Sequence, residues 1–415
     1  MRACFPLLLL SLAACASSDD TGQVDLRDPR TVTSDTAGVA RLVAGNNAFA
    51  WDLFRQVGGD DNLVLAPFTA SVALGMSLAG AAGTTAEEMR QVLHADLNDA
   101  AWHEAHGALL QDLSGDHHRA YTLQAANRAW GQSGYPWKEA FTSVLADDYG
   151  APLKEIDFQA DPAAATAEIN AWVSEQTEGR IPQIVPPGTL NQDTRLALAS
   201  ALYLYAAWVL PFADENTADR DFTLADGTQI QVPTMSRFDE TWWYAGDFDA
   251  TVVRLPYVEE ELAFYVVLPP DPAGLPDVEA TIDADRVEDW VLRIQDEERH
   301  ADGLVLPRFS FRSAMDLPDV LSALGMPSAF DPALADFSGM ADTEPTLHIS
   351  HVLHEGWISV DEAGTEAGGA TVEISENGDP VVLYCDHPFL FFLRDELSGA
   401  ILFLGRVANP SASKS

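Results

Sequence analysis

Lysine is nearly absent from this chain of 415 residues, which carries only Lys138, Lys154 and Lys414. Lysine and arginine together number 23 against 64 acidic residues, a formal charge of −41. That balance argues against a nucleic-acid partner, because phosphate binding takes a clustered Lys/Arg surface. No Gly-Lys dipeptide occurs, so a Walker-type phosphate loop is excluded. C-x-x-C, G-x-S-x-G and G-x-G-x-x-G are missing too, which removes the usual signatures of redox dithiols, hydrolase elbows and dinucleotide folds. The chain has three cysteines, Cys4, Cys15 and Cys385. What it has in quantity is apolar mass: 47% hydrophobic residues, with 19 Phe, 10 Trp and 9 Tyr, enough for a large packed core and against disorder. The excess of negative charge favours solubility and suits salty surroundings, where repulsion is screened.

The first residues read as an address. Met1-Arg2 gives a short positive start, and Phe5 to Leu12 is an apolar run too short to span a bilayer as a mature helix. It ends in Leu12-Ala13-Ala14-Cys15, which resembles the lipobox of bacterial lipoproteins, where the Cys becomes the lipidated N-terminus. The plain alternative is an ordinary signal peptide that contains a Cys. The expectation is a signal peptide over residues 1–14 and a flexible tether over 15–38, rich in Ser, Thr, Asp and Gly. With Cys4 removed and Cys15 acylated, Cys385 has no intramolecular partner, and an exported chain without staples relies on its core.

From residue 39 to 410 the chain reads as one domain, followed by a tail over 411–415. Val39, Leu42, Val43, Phe49, Leu53, Phe54 and Val57 recur at helical spacing until Gly58-Gly59. Asn62–Ala66 is a short strand candidate, followed by a helix from about Thr69 to Ala81. Thr85 with Glu88 predicts a capping box, and Asp161-Pro162 an N-cap with Pro at the first helical position of a helix ending near Gly179. Beyond residue 195 the period shifts toward two. Strands are predicted at Leu196–Leu204, Thr251–Leu255, Leu262–Leu268, Gly303–Phe311, Trp357–Asp361, Val381–Tyr384, Phe389–Arg394 and Ile401–Val407. Asp226-Gly227 and Ser398-Gly399 mark hairpins. Helices first and strands later, without βαβ alternation, indicate the α+β class.

His348, His351 and His354 stand three residues apart, which on a helix would invite a metal. The segment reads as extended, where steps of three alternate faces, so no metal site is expected. Residues 362–380 are more informative. Their first half is small residues after a good strand, and Thr365, Ala367, Gly369 and Thr371 alternate so that all four can point inward without filling much space. Taken alone, that segment reads as a glycine loop between strands.

Its flanks change the reading. Glu362-Ala-Gly364-Thr365-Glu-Ala367-Gly368-Gly369-Ala370-Thr371 resembles the hinge of inhibitory serpins, and Leu383-Tyr-Cys-Asp-His-Pro388-Phe389-Leu-Phe-Phe resembles the serpin signature that follows the reactive loop. Gly405-Arg406-Val407-Ala-Asn409-Pro410 is similar to the family's C-terminal ending. So are Trp172-Val, Thr177-x-Gly179-x-Ile181, Trp208, Val253-x-Leu-Pro256-Tyr257, and Asp316-Leu with Leu324-Gly325-Met326. The resemblance runs from about residue 39 to 410, with its motifs in the family's order.

The resemblance implies an α+β serpin fold, with three β-sheets, about eight to nine helices and an exposed reactive-centre loop. It implies a metastable, monomeric, single-use inhibitor, not an enzyme, with no cofactor and no metal. A target protease, serine-type first and cysteine-type second, attacks the loop. The freed loop then enters the large sheet as a new strand before the acyl enzyme hydrolyses. Trp208 matches the tryptophan where insertion begins and His354 the histidine of the central gate. Ser200 stands where the family has Asn, and Ala66 and Thr69 stand where it has serines. The scissile bond falls among Glu376, Asn377, Gly378 and Asp379, according to the direction of counting. No Lys or Arg lies between Glu362 and Arg394, which disfavours a trypsin-like target. Asp96–Asp116 likewise contains no Lys or Arg, so no heparin-like activator is expected. The chain is expected to be exported and lipid-anchored to a bacterial membrane, with Cys385 a buried thiol. A serpin-fold binding or storage protein, cut without trapping, is the alternative.

Overall fold

The computed structural model describes residues 37–114, 119–238, 240–296, 299–343, 347–365 and 381–412. Helix α1 (Ala37–Val57) forms because its apolar residues return every three or four positions, burying Leu42, Val43, Phe49, Leu53 and Phe54. A short strand β1 (Leu63–Leu65) leads into α2 (Pro67–Leu78), whose residues are all buried. Helices α3 (Gly83–Val92) and α4 (Asp99–Ser114) follow, then strand β2 (Thr122–Gln132), α5 (Glu139–Asp147) and β3 (Lys154–Ile156). Helix α6 (Pro162–Gln176) starts as the sequence indicates: Asp161 Oδ1 accepts from the Ala164 N–H at 2.9 Å, and Pro162 needs no donor partner.

The second half is mostly strand. It comprises β4 (Leu196–Ala207), β5 (Ala218–Thr223), β6 (Gln229–Arg237), β7 (Trp242–Gly246), β8 (Thr251–Pro256) and β9 (Leu262–Leu268). Helices α7 (Leu275–Thr281) and α8 (Ala284–Asp296) precede β10 (His300–Ala301), β11 (Gly303–Pro307), β12 (Phe309–Asp316) and α9 (Pro318–Leu324). The chain closes with β13 (Leu353–Val360), β14 (Gly364–Thr365), β15 (Val382–Tyr384), β16 (Phe389–Asp395) and β17 (Ile401–Val407).

Three sheets result. One runs β1-β17-β16-β9-β8-β7-β10, one β15-β11-β6-β5, and one β12-β13-β4-β2-β3 with β14 also on β4. The β16–β17 hairpin lies wholly inside, every residue of both strands being buried. Along β4 the faces separate cleanly. Leu202, Leu204 and Ala206 face the main core, while Ala199 and Ala201 face a second cluster under α6 with Ile169 and Val173.

Two expectations fail for tertiary reasons. Thr85 and Glu88 do not cap α3, whose N-cap is Ala82. Thr85 Oγ1 accepts from the Asp336 N–H at 3.0 Å, and Glu88 accepts from Ser328 N and Oγ at 2.9 Å each. The run Gly303–Phe311 is two strands, since β11 belongs to the four-stranded sheet and β12 pairs with β13 in another.

Candidate functional site

Strands β4 and β13 run parallel, yet their pairing covers only Leu353↔Ala199, His354↔Ser200 and Glu355↔Ala201. Both strands continue past it, β4 to Ala207 and β13 to Val360, with no further pairing between them among the described residues. At the far end Gly364 and Thr365 pair antiparallel with Ala207 and Ala206. The flank of β4 facing β13 is thus zipped at one end, started by a third strand at the other, and unpaired over Leu202–Tyr205 among the described pairings.

A tight turn makes that start. Asp361 N–H donates to the Gly364 carbonyl at 3.0 Å, Gly364 N–H returns to the Asp361 carbonyl at 3.3 Å, and Ala363 N–H donates to Asp361 Oδ1 at 3.0 Å. Gly364 has φ of +143°, and a Cβ there would lie 2.3 Å from the Ala206 carbonyl oxygen. Only glycine fits. Glu362, buried beside it, is held three ways. Its carbonyl accepts from Phe212 N–H at 2.7 Å, and its Oε1 accepts from Thr217 Oγ1 at 2.6 Å and lies 3.4 Å from the Arg308 guanidinium. Burial pushes the Asp361 carboxyl above the ordinary range, against the Ala363 N–H that favours its charged form.

Trp208, the residue after β4, locks this turn to the core. Its Nε1 donates to the Asp361 carbonyl at 3.0 Å and its backbone N–H to the Ala363 carbonyl at 3.0 Å. Its ring stacks on Tyr257 with centroids 4.4 Å apart and meets Phe264 edge-on at 5.9 Å. These contacts tie the turn to the ends of β4 and β8.

At the zipped end, about 23 Å away along seven residues of β4, lies a polar cluster in the core. His354 Nε2 accepts from the Ala66 N–H at 3.1 Å, while its Nδ1 is buried without a hydrogen-bond partner. Burial drives the His354 pKa down to about 4, so the ring is neutral near pH 7. Ser200 Oγ lies 2.7 Å from the Thr69 carbonyl and 2.8 Å from Asn127 Oδ1. One hydroxyl proton serves only one of them at a time. Thr69 Oγ1 donates to the Ala66 carbonyl at 3.0 Å. On the opposite face Glu355 is buried, with Arg312 at 3.7 Å, and burial raises its pKa.

Of the residues singled out in the sequence, Glu362, Gly364, Thr365 and Trp208 gather at the turn, and His354, Ser200 and Thr69 at the zipped end. Ala367, Gly368, Gly369, Ala370, Thr371, Glu376, Asn377, Gly378, Asp379 and Cys15 lie outside the described residues. Sequence reasoning missed Asn127, which sits opposite Ser200 on β2, and Arg308, which reaches Glu362. The three spaced histidines do not converge. His351 pairs with Asp316 at 2.6 Å, His348 faces Ser350 Oγ at 3.3 Å, and His354 serves Ala66. Among the described residues no group of three or more His, Cys, Asp or Glu is arranged to hold a metal. Cys385 is buried, and burial pushes its thiol well above the ordinary range.

The family model described as Serpin (serine protease inhibitor) matches residues 44–410. An uncharacterized serpin-like protein of Thermococcus kodakarensis is 37% identical over 376 residues, covering 89% of this chain and 86% of its own. A leukocyte elastase inhibitor of Xenopus tropicalis is 32% identical, covering 87% and 97%. The crystal structure of Serpin48 from the insect Tenebrio molitor superposes with a TM-score of 0.76 at 30% identity, covering 89% of this chain and 98% of its own. With three sheets, an open flank in one of them and this match over most of its length, the chain belongs to the serpin family.

Proposed function

We propose that this chain is a suicide-substrate inhibitor of a serine protease that is not trypsin-like. The observation that carries the proposal is the antiparallel start of β14 on the open flank of β4. Counting on from Thr365↔Ala206, a strand entering in that register would set Ala367 against Leu204, Gly369 against Leu202 and Thr371 against Ser200. These β4 positions face the core, where small side chains displace little. Completing the strand requires the three β4–β13 pairs to part, and Thr371 then arrives at the cluster of Ser200, Asn127 and His354.

The chemistry belongs to the partner. The protease serine adds to the carbonyl before one of the bonds between Glu376 and Asp379. The peptide C–N bond breaks, the new amine leaves with the proton, and an ester joins the two proteins. Insertion faster than hydrolysis of that ester traps the enzyme. Export and anchorage through a lipid on Cys15 are proposed from Leu12-Ala13-Ala14-Cys15 alone, and the absence of basic residues in the loop is what disfavours a trypsin-like target.

Cutting the loop and heating the product tests insertion. About ten new ladder residues at ~1 kcal/mol per hydrogen bond raise the melting temperature by about 13 °C for a domain of this size. A cut form that melts with the intact chain points to the binding or storage reading instead.

A further inference from the structure

We infer that the corner of the four-stranded sheet where the loop re-enters the fold is a docking face for the target protease, built to take an apolar and basic rim. This inference rests on the protease-inhibitor reading and adds to it a recognition surface separate from the loop.

Seven large hydrophobic side chains are strongly exposed among the described residues, and three of them, Phe238 at 45%, Val381 at 46% and Tyr384 at 47%, belong to this corner. The sheet register brings Phe238 and Tyr384 onto one face through Val382, with Val381 at the edge of the corner beside Asp302. Gly303 lies opposite Val382 on β15, and Val305 opposite Tyr384. On its other side Leu304 pairs with Arg237, so Phe238 follows in line with Gly303. A Cβ on Gly303 would lie 2.7 Å from the Phe238 ring and 3.3 Å from Val382 Cγ2, so the missing side chain lets the two close over the strand. Tyr384, two residues on from Val382, extends the same face. An aromatic and aliphatic ridge in water is costly to keep unless something covers it.

Beside the ridge lies a groove of about 360 Å³ lined by Asp219, Asp221, Asp386, Arg220, Thr234 and Tyr384. Arg220 is the one cation in its wall, and that guanidinium donates to Ser236 Oγ at 3.3 Å. Asp221 accepts from Gln231, and Asp386 lies 2.8 Å from His387 Nδ1. Asp302, at the ridge's edge, accepts from the Val381 N–H at 2.8 Å. Three acids against one engaged arginine leave the groove negative, complementary to lysine or arginine on a partner.

Continuity identifies the partner. The candidate bonds Glu376–Asp379 lie only three to six residues before Val382, a span of at most about 20 Å of extended chain. A protease that takes this bond must hold its leaving-group side over β15.

The test uses the full chain with the lipid-site cysteine replaced, Cys15→Ser, and a panel of elastase-like, acid-preferring and Asn-preferring proteases. The rate of loop scission is read alongside adduct formation, with a free peptide of residues 366–384 as reference. Phe238→Ser and Tyr384→Ser are each expected to slow scission of the protein about tenfold. Asp219→Asn with Asp386→Asn is expected to flatten the salt dependence of that rate. The peptide supplies the rate expected when no second surface takes part. Scission of all variants within twofold of the wild-type rate by every protease that cuts it overturns the docking face. Adduct formation tests the inhibitor reading independently, because a loop cut without trapping still reports the docking rates.

Discussion

Acid should loosen the junction of β4 and β13 through one imidazole. His354 is buried, its Nε2 accepts from the Ala66 N–H, and its pKa is held down to about 4 by burial. Protonation puts a second donor where Ala66 already points one, and leaves a charge in the core. The folded pKa lies below the ordinary value of about 6.5. The associated stability is therefore complete above pH 6.5 and is lost as pH falls toward 4. Linkage gives a loss of about 2 kcal/mol at pH 5 and about 3 kcal/mol at pH 4. His103 and His106, buried on α4 with pKa values near 4 and 3, lose stability in the same direction and steepen the wild-type curve. The informative quantity is thus a difference. His354→Gln keeps an acceptor for Ala66 without titrating, so its urea midpoint should fall less between pH 7 and 5, by the equivalent of about 2 kcal/mol. Parallel pH curves for wild type and variant would refute the assignment of that ring as a buried neutral acceptor.

Other substitutions probe the turn and the strand it starts. Gly364→Ala places a Cβ against the Ala206 carbonyl at positive φ, and should cost about 1–3 kcal/mol in urea with a shift in Trp208 emission. Unchanged stability and emission would show that the turn is not as described. Thr365→Arg introduces a bulky charge at the first position of the entering strand. It should leave the rate of loop cutting unchanged while raising the moles of inhibitor consumed per protease about tenfold or more. If trapping is as efficient as in wild type, insertion through this register is wrong. Trp208→Ala removes a ring stacked on Tyr257 and a bond to Asp361, and a loss of about 3–5 kcal/mol is expected in the urea midpoint.

The parts of the fold that local rules govern were readable in advance. The spacing from Val39 to Phe54 marked α1, Asp161-Pro162 marked the start of α6, and Ser398-Gly399 marked the turn of the central hairpin, with Gly399 at φ +81°. What escaped was decided by distant partners. Thr85 and Glu88 have the letters of a capping box, but they are taken by Asp336 and Ser328 some 250 and 240 residues along the chain. Strand β2, Thr-Leu-Gln-Ala-Ala-Asn-Arg-Ala-Trp-Gly-Gln, lacks clean alternation because it is covered unevenly on both faces. Missing it hid Asn127, so the polar cluster looked short of an amide that the structure supplies from the neighbouring strand. The run Gly303–Phe311 keeps one hydrophobic period while its chain passes between two sheets, a break at Arg308 that no alternation rule records.

The central claim is that a protease is trapped covalently. The most direct measurement is the intact mass, under denaturing conditions, of the chain incubated with proteases of acidic, Asn, small-aliphatic and basic preference. The expected result is a species with the summed mass of protease and inhibitor, less the peptide C-terminal to a cut between Glu376 and Asp379, formed with a protease of one of the first three preferences. Loop cleavage by the panel with no such species would contradict it.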